Sequence, residues 1–267
     1  MAINKLPKQS YKSFQEFITK NWTGLEPTIR KTWEGDWIGA DLYKRADDFI
    51  SDLQNFGGVL PPIQKLYTPT ELNIKGAEGY SQEYIFDVYG ESFDIGLVCE
   101  GVPEAWLCQQ EIPAHKDNLT IRIRHGVSAD VDNLSATKRY AMLADVYKAC
   151  LSKYRVRVVL DWEAVVNYKT HYSHEITICD YTDYFDPLTL VSMSSITMFR
   201  AMMRGLSRMH HQHENVSSVK FTDKWIKESK IQRTQDELII PAIYSTHDSE
   251  WNIPNMLQLA GVAQTEA

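Results

Sequence analysis

The feature that most constrains the fold is a hydrophobic pattern that switches between periods of two and of about 3.6 residues from Leu119 onward. Residues 119–125 alternate apolar and basic side chains, as a half-buried strand does. The predicted elements are, in chain order, strand 119–125, helix 134–151, strand 154–166, strand 175–181, helix 187–209 and strand 237–244.

This βαββαβ order is that of the split βαβ, ferredoxin-like arrangement, in which helices cover one face of a mainly antiparallel sheet. We therefore predict the α+β fold class with this arrangement. A further strand over residues 83–89 has the composition to add an edge to the sheet.

The residues before this unit predict an N-terminal helical arm. Apolar spacing indicates helices over 12–20 and 40–54, and a Gly- and Pro-rich connection follows over 55–82. Near the other end, residues 254–261 predict a short helix. The predicted domains are a helical arm over 1–60, an α+β core over 83–250 and an acidic C-terminal segment over 251–267.

Length and composition indicate a globular protein with a sizeable core. The chain has 267 residues, of which 43% are hydrophobic, and a formal net charge of −7. No apolar run approaches the roughly 18 residues needed to cross a bilayer, and the first residues lack the pattern of an export signal. The 4 cysteines form no close pair, so we expect free thiols in a reducing cytoplasm.

Charge is unevenly distributed along the chain. Residues 197–233 carry eight Lys and Arg against three Asp and Glu, whereas residues 234–267 carry five acidic residues and no Lys or Arg. A concentration of basic residues in an acidic protein, followed by an acidic segment, is typical of a polyanion-binding site next to a partner-binding segment.

Three arginines line one side of the predicted helix 187–209. Arg200, Arg204 and Arg208 repeat every four residues, a step of about 6 Å along a helix axis. Such a ladder is suited to the phosphates of an extended single strand, since Arg makes forked contacts to phosphate. The alternative is a solvated face on a helix that packs against the core.

The next segment, residues 219–233, combines basic residues with aromatic rings, as single-strand binding requires. Phe221 and Trp225 would stack on bases, or would instead anchor the segment to the core. The predicted cationic contacts of this segment are Lys220, Lys224, Lys227, Lys230 and Arg233.

Two predicted strands also carry paired arginines. Arg122 and Arg124 share one face of their strand, as do Arg155 and Arg157 on theirs. Four arginines on one sheet face would follow a nucleic-acid backbone. The alternative is ordinary surface ion pairs with the excess carboxylates.

Signals for an enzyme are weak. Adjacent histidines in the His210–His213 cluster do not face one another on a helix, and Cys99, Cys108 and His115 lack zinc-site spacing. The chain has neither a phosphate-binding Gly-x-x-x-x-Gly-Lys loop nor a Gly-x-Gly-x-x-Gly motif. We therefore predict no enzymatic activity, no metal and no cofactor.

Four stretches of the chain, spanning roughly residues 89–160, carry a family resemblance. They are Tyr89-Gly-Glu-Ser-Phe-Asp94, Gly101-Val-Pro-Glu-Ala-Trp106, Ile121-Arg-Ile-Arg and Tyr154-Arg-Val-Arg-Val-Val. With its size and acidic balance, the chain resembles the Drc-like single-stranded-DNA-binding RNA polymerase cofactors of schitovirus-type tailed phages. The resemblance implies early expression in the cytoplasm of an infected bacterial host and unspecific binding of single-stranded DNA. It also implies help to a phage RNA polymerase, but it identifies no residue that contacts DNA.

Together these observations predict a single-stranded-DNA-binding cofactor that recruits a phage RNA polymerase. Because the net charge disfavours tight DNA coating by a bare monomer, we expect a homo-oligomer or a local basic groove. Two alternatives remain open. One is a metal-dependent phage enzyme that acts on nucleic acid through the histidine cluster, and the other is a protein-only adaptor that modulates a host factor.

Overall fold

The chain divides into two units, one made of residues 1–75 with 118–267 and the other of residues 76–117. The structure of both units is a computed structural model. The residues that the structure describes are 4–33, 43–55, 60–65, 67–68, 80–87, 92–93, 106–113, 117–127, 131, 133–166, 170–181, 185–210, 219–220, 230–243 and 251–262.

The described part of the chain contains seven helices and eleven strands. The helices are α1 (Phe14–Thr32), α2 (Ala46–Asn55), α3 (Pro61–Gln64), α4 (Asn133–Leu151), α5 (Pro187–Met193), α6 (Ile196–His210) and α7 (Ile253–Ala260). The strands are β1 (Asn4–Lys5), β2 (Gln9–Tyr11), β3 (Tyr80–Asp87), β4 (Ser92–Phe93), β5 (Trp106–Pro113), β6 (Asp117–Arg124), β7 (Tyr154–Val166), β8 (Thr170–Cys179), β9 (Val219–Lys220), β10 (Gln232–Arg233) and β11 (Glu237–Ile240).

The sheet of the larger unit is mixed. Its strand order is β1-β8-β7-β6-β11-β10, with β2 also paired to β8 and β9 paired to the end of β7. The β7–β8, β7–β9 and β10–β11 pairs are antiparallel. In contrast, β1 and β2 run parallel to β8, and β11 runs parallel to β6.

The predicted ferredoxin-like, mainly antiparallel sheet is therefore wrong, although the class is α+β. A ferredoxin-like sheet would place β8 between β6 and β7, whereas β7 lies between the other two. It would also make β11 antiparallel to β6, and the two are parallel. Both arrangements contain the β7–β8 hairpin, which here runs from Val166↔Thr170 to Val158↔Cys179; the physical reason for the difference is that β1 and β2 occupy the other edge of β8, so β6 lies beside β7.

The helices contact one face of this sheet. Trp162 on β7 and His174 on β8 are register partners, and the Phe17 ring of α1 packs edge-on against Trp162 at 5.1 Å. Next to them, His125 contacts Tyr140 of α4 at 4.9 Å and Phe199 of α6 at 5.0 Å. These rings form the centre of the core, and the other face of the sheet carries the charged residues described below.

Most side chains of helix α4 are buried, as expected of a helix enclosed by other elements. It lies between the β6 and β7 strands in the chain and contacts β7, α5, α6 and α7. Its fully buried side chains are Ala136, Tyr140, Ala144, Val146, Ala149 and Cys150.

The N-terminal region contains a longer helix and more strands than the sequence predicts. Helix α1 runs to Thr32 and not to residue 20, passing through Pro27, because Leu25 and Ile29 are fully buried. Burial of these side chains outweighs the helix-breaking signal of the proline. The short strands β1 and β2 have no alternating pattern, so the sequence reasoning missed them. The predicted arm over 1–60 belongs to the larger unit.

The C-terminal residues also pack into the larger unit. Trp251, Met256, Leu257 and Val262 are buried, and α7 ends at Gly261 with a φ of 74°. A helix with this buried face is part of the core. This finding differs from the prediction that residues 251–267 form an acidic segment for partner binding.

The smaller unit contains an antiparallel three-stranded sheet in the order β3-β5-β4. Its longest ladder joins Tyr80↔Pro113 to Asp87↔Trp106. The strand predicted over 83–89 corresponds to β3, so it belongs to this separate sheet and adds no edge to the larger one.

Candidate nucleic-acid interface

The charged face of the larger sheet is centred on Arg122 of β6. Its Nη1 lies 3.1 Å from Asp161 Oδ2 and 2.7 Å from Glu175 Oε2, and its Nη2 lies 2.9 Å from Glu237 Oε1. Asp161 and Glu175 are register partners on β7 and β8, so the three carboxylates come from three strands that surround one guanidinium. Lys8 also contacts Glu175, at 2.7 Å.

This cluster favours the charged forms of Arg122 and Glu175. Burial alone would lower the pKa of Arg122, but hydrogen bonds and charges of Glu237, Asp161 and Glu175 raise it overall. Burial alone would raise the pKa of Glu175, but Lys8 and Arg122 lower it overall. Arg122 is consequently committed to carboxylates inside the protein, and a phosphate would have to displace them.

Two other predicted contact residues are buried. Arg124 is 8% exposed and Arg200 is 4% exposed. Burial lowers the pKa of Arg200 to about 10. The expectation that Arg200 begins an exposed guanidinium ladder along α6 is therefore wrong, and Arg122 and Arg124 do not form an open phosphate track.

Arg155 and Arg157 on β7 have different environments. Arg157 donates to Thr177 Oγ1 at 3.0 Å and its Nε lies 4.0 Å from Asp180 Oδ1. For Arg157 and Arg122, the structure therefore shows ion pairs with carboxylates, which was the alternative to nucleic-acid contacts. Arg155 is exposed and forms no ion pair with a described residue.

The remaining predicted residues fall into two groups. Arg204, Arg208 and Lys220 lie on α6 and β9, but the structure describes only their backbone. Phe221, Lys224, Trp225 and Lys227 lie outside the described residues, so the stacking prediction is not addressed there.

Lys153 and Arg233 both lie against the Tyr154 ring at the amino-terminal end of β7. With two neighbouring exposed cations, Arg155, which follows Tyr154 in β7, and Lys230, three residues before Arg233, we call them the β7 patch. The Arg233 guanidinium lies 6.0 Å from the centre of the Tyr154 ring, and Lys153 Nζ lies 5.3 Å from it. Lys153 also donates to the Gly261 carbonyl at 2.8 Å, where cations are favoured at the C-terminus of α7. Arg155 and Lys230 are exposed.

None of the four β7-patch cations forms an ion pair with a carboxylate in the part of the chain that the structure describes. Sequence reasoning included three of them and missed Lys153. The available signal was its place in Lys153-Tyr154-Arg155, at the turn between α4 and β7.

Two aromatic rings that lie near cationic residues, Tyr154 and Trp33, pack internally. Tyr154 is 8% exposed and donates to the Ala260 carbonyl at 2.9 Å. Trp33 lies 5.0 Å from the Phe49 ring, and its Nε1 donates to the Tyr43 carbonyl. Trp37 lies outside the described residues. Neither Tyr154 nor Trp33 therefore offers a ring face for stacking on a base.

His125 is a buried, uncharged group that the sequence reasoning did not identify. The Trp162 Nε1 donates to His125 Nδ1 at 2.6 Å, so His125 Nε2 carries the proton and donates to the Ser194 carbonyl at 2.8 Å. Burial lowers its pKa to about 3, although hydrogen bonds to the Ser194 and Ser195 carbonyls oppose this shift. His125 thus joins β6, β7 and α6 as a neutral imidazole.

Histidines and carboxylates are the candidate metal ligands of this chain. His171 and Glu163 form a close pair on the charged sheet face. Within the described ranges, no three or more His, Cys, Asp and Glu side chains are grouped so that they could hold a metal ion. His210 ends α6, and residues 211–213 of the histidine cluster lie outside those ranges.

Among the helices described, none combines the length and apolar character needed to span a membrane.

A family model described as a domain of unknown function, DUF7192, matches residues 3–264. This match includes the N-terminal strands, both sheets and α7. No curated protein and no solved structure matches the chain.

Proposed function

This chain belongs to the DUF7192 family, and we propose that it is a non-enzymatic, sequence-unspecific single-stranded DNA-binding protein that recruits a phage RNA polymerase. The observation that carries the proposal is the β7 patch. Its cations remain without carboxylate partners among the described residues, in a protein whose net charge is −7.

Charge neutralisation elsewhere supports the choice of this surface. Three carboxylates surround Arg122, and Arg200 is buried, so neither side chain can meet a phosphate without a large rearrangement. Phosphate contacts supply most of the affinity in unspecific binding and need cations that are free to pair. The β7 patch supplies such cations, and two of them, Lys230 and Arg233, come from the carboxyl end of the basic stretch 219–233.

The proposal includes a polymerase partner and a cellular location, and both rest on the resemblance described above. The protein would act in the cytoplasm of an infected bacterial host, as part of early phage transcription. An enzymatic role is not part of this proposal.

The test uses fluorescence anisotropy with a labelled single-stranded oligonucleotide. The double variant Arg155→Glu/Lys230→Glu should bind at least about tenfold more weakly, because two phosphate contacts become repulsions. The matched control is Lys44→Glu/Lys138→Glu, which changes net charge equally at exposed positions outside the patch. The control should bind like the unmodified protein.

Salt dependence gives a second readout. Four phosphate contacts predict a slope of about −2.8 in log affinity against log salt, at roughly 0.7 per contact on a single strand. The patch variant should lose about half of this slope. Equal losses of affinity in the patch and control variants would mean that net charge, and not this surface, governs binding.

Polymerase recruitment needs a separate test, because DNA binding alone does not establish it. Tagged protein should retain the phage RNA polymerase from infected-cell lysate, and addition of the protein should raise transcription from a single-stranded promoter template. Retention that disappears after nuclease treatment would show that DNA, and not protein contact, joins the two.

A second candidate is the protein-only adaptor, and the Arg122 cluster favours it. Arg122 and Arg157 form ion pairs within the protein, so two of the predicted DNA contacts are engaged with carboxylates. For an adaptor, oligonucleotide binding would be absent at moderate salt while a protein partner is retained from nuclease-treated lysate.

A further inference from the structure

The N-terminal residues 4–10, which we call the strap, form the outer edge of the larger sheet. Asn4 and Lys5 pair with Thr170 and His171 of β8, and the Leu6 amide donates to the His171 carbonyl at 3.1 Å. After Pro7 the chain returns to β8 through β2. The strap is therefore held mainly by backbone hydrogen bonds to a single strand.

The strap contributes almost nothing to the core. Residues 5–10 are all exposed, including Leu6 at 36%. The next residue is different, because Tyr11 is 7% exposed and its ring packs edge-on against Phe17 at 5.1 Å. Segments with few buried apolar contacts open locally at low cost. The strap can thus detach up to Tyr11 while Tyr11 and α1 stay in place.

Lys8 gives the strap a specific electrostatic contact. Its Nζ lies 2.7 Å from Glu175 Oε2 and 3.6 Å from Asp161 Oδ1. Both carboxylates also contact Arg122. When Lys8 leaves, these carboxylates therefore keep a cationic partner, so opening does not strand buried charges.

An opened strap leaves the edge of β8 without a backbone partner. Such an edge is a template for another extended segment. The occupant must run parallel to β8 and place a cation beside Glu175 and Asp161. The strap of a second copy meets both conditions, because it repeats the backbone register and Lys8.

We propose that two copies of this chain exchange straps, so that residues 4–10 of each copy pair with β8 of the other. Such exchange produces a closed, twofold dimer from contacts that already exist within one chain. The dimer does not depend on nucleic-acid binding.

The test is disulfide capture between register partners. One preparation carries Asn4→Cys and another carries Thr170→Cys, and the two are mixed, incubated and oxidised mildly. Exchange predicts a covalent dimer in the mixture. The control mixture replaces Thr170→Cys by Lys44→Cys, an exposed position outside the strap contacts, and should give none.

The double variant Asn4→Cys/Thr170→Cys completes this test. If it closes within one chain while the mixture yields no more dimer than the control mixture, the straps do not exchange and the proposal is overturned.

A charge variant tests the role of Lys8. Sedimentation equilibrium should show a dimer of the unmodified protein. Lys8→Glu loses the same contact in the closed chain and in the exchanged dimer, so it should favour strap opening and speed formation of the covalent dimer in the mixture at least tenfold, whereas Lys12→Glu, exposed and outside the strap, should leave that rate unchanged. A protein that remains monomeric at all concentrations, or equal effects of the two variants, would overturn the proposal.

Discussion

Lys8 and Arg122 bind the same oxygen atom, Glu175 Oε2, and each lies 2.7 Å from it. One cation comes from the exposed N-terminal strap and the other from the centre of the sheet. Glu175 therefore links the edge of the sheet to a charge cluster that spans β6, β7, β8 and β11. Arg122 contacts all three carboxylates, whereas Lys8 contacts only Asp161 and Glu175 from an exposed segment, so Lys8 is the exchangeable member.

Replacement of Arg122 by Gln should destabilise the protein by about 2–3 kcal/mol, because three carboxylates lose their shared cation. Urea unfolding followed by circular dichroism measures this change. Arg155→Gln is the matched control, since Arg155 is exposed without an ion pair among described residues, and it should change stability by less than about 0.5 kcal/mol. Similar losses in both variants would show that the cluster contributes no net stability.

His125 should make stability depend on pH above the range in which carboxylates titrate. Its pKa is lowered to about 3 in the folded protein, against 6.5 for the free group. The unfolded chain therefore binds more protons between these values, and stability should fall as pH decreases from 7 to 5. The loss approaches about 1.4 kcal/mol per pH unit below the unfolded value.

The variant His125→Gln checks this assignment. Gln has a donor and an acceptor for Ser194 and Trp162 but does not titrate. Its unfolding free energy should be flatter between pH 7 and pH 5 than that of the unmodified protein. An unchanged slope would assign the pH dependence to another group.

Glu175 should act at lower pH. Lys8 and Arg122 lower its pKa below 4.5 in the folded state, so its contribution is present above that value and is lost as pH falls through the folded pKa. Unfolding measured from pH 5 to pH 3 should show a smaller loss for Glu175→Gln than for the unmodified protein. Equal losses would mean that the ion pairs of Glu175 give no net stabilisation.

Gly205 sets the close approach of α6 to α1. A Cβ at this position would lie 2.8 Å from Leu25 Cδ2 and 3.7 Å from Ile29 Cγ1. Gly205→Ala should be near neutral, because the gain in helix propensity of about 1 kcal/mol offsets a shift of the Leu25 methyl group. Gly205→Val should cost about 1–3 kcal/mol in thermal or urea unfolding, since the helices would have to separate. A Val variant as stable as the Ala variant would show that this interface is loosely packed.

Much of the secondary structure follows from local pattern. Alternating side chains in β6 and helical spacing in α4 predict those elements to within a few residues, because each repeat matches the geometry of a single segment. Helix α1 was underestimated because Pro27 is a local stop signal, whereas the burial of Leu25 and Ile29 depends on a partner helix far along the chain. The strap was missed since its pairing comes entirely from β8.

The sequence by itself determined the order of the central elements β6, α4, β7 and β8, the α+β class and the segregation of charge, because these depend on neighbouring residues. Only the tertiary structure decided that β7 lies between β6 and β8, and which arginines remain free. Arg122 and Arg155 both lie on strands as basic residues in an alternating pattern, yet one is surrounded by three carboxylates and the other is exposed. Their difference arises from Asp161, Glu175 and Glu237, which β7, β8 and β11 bring from distant parts of the chain to Arg122, so no local pattern could have separated them.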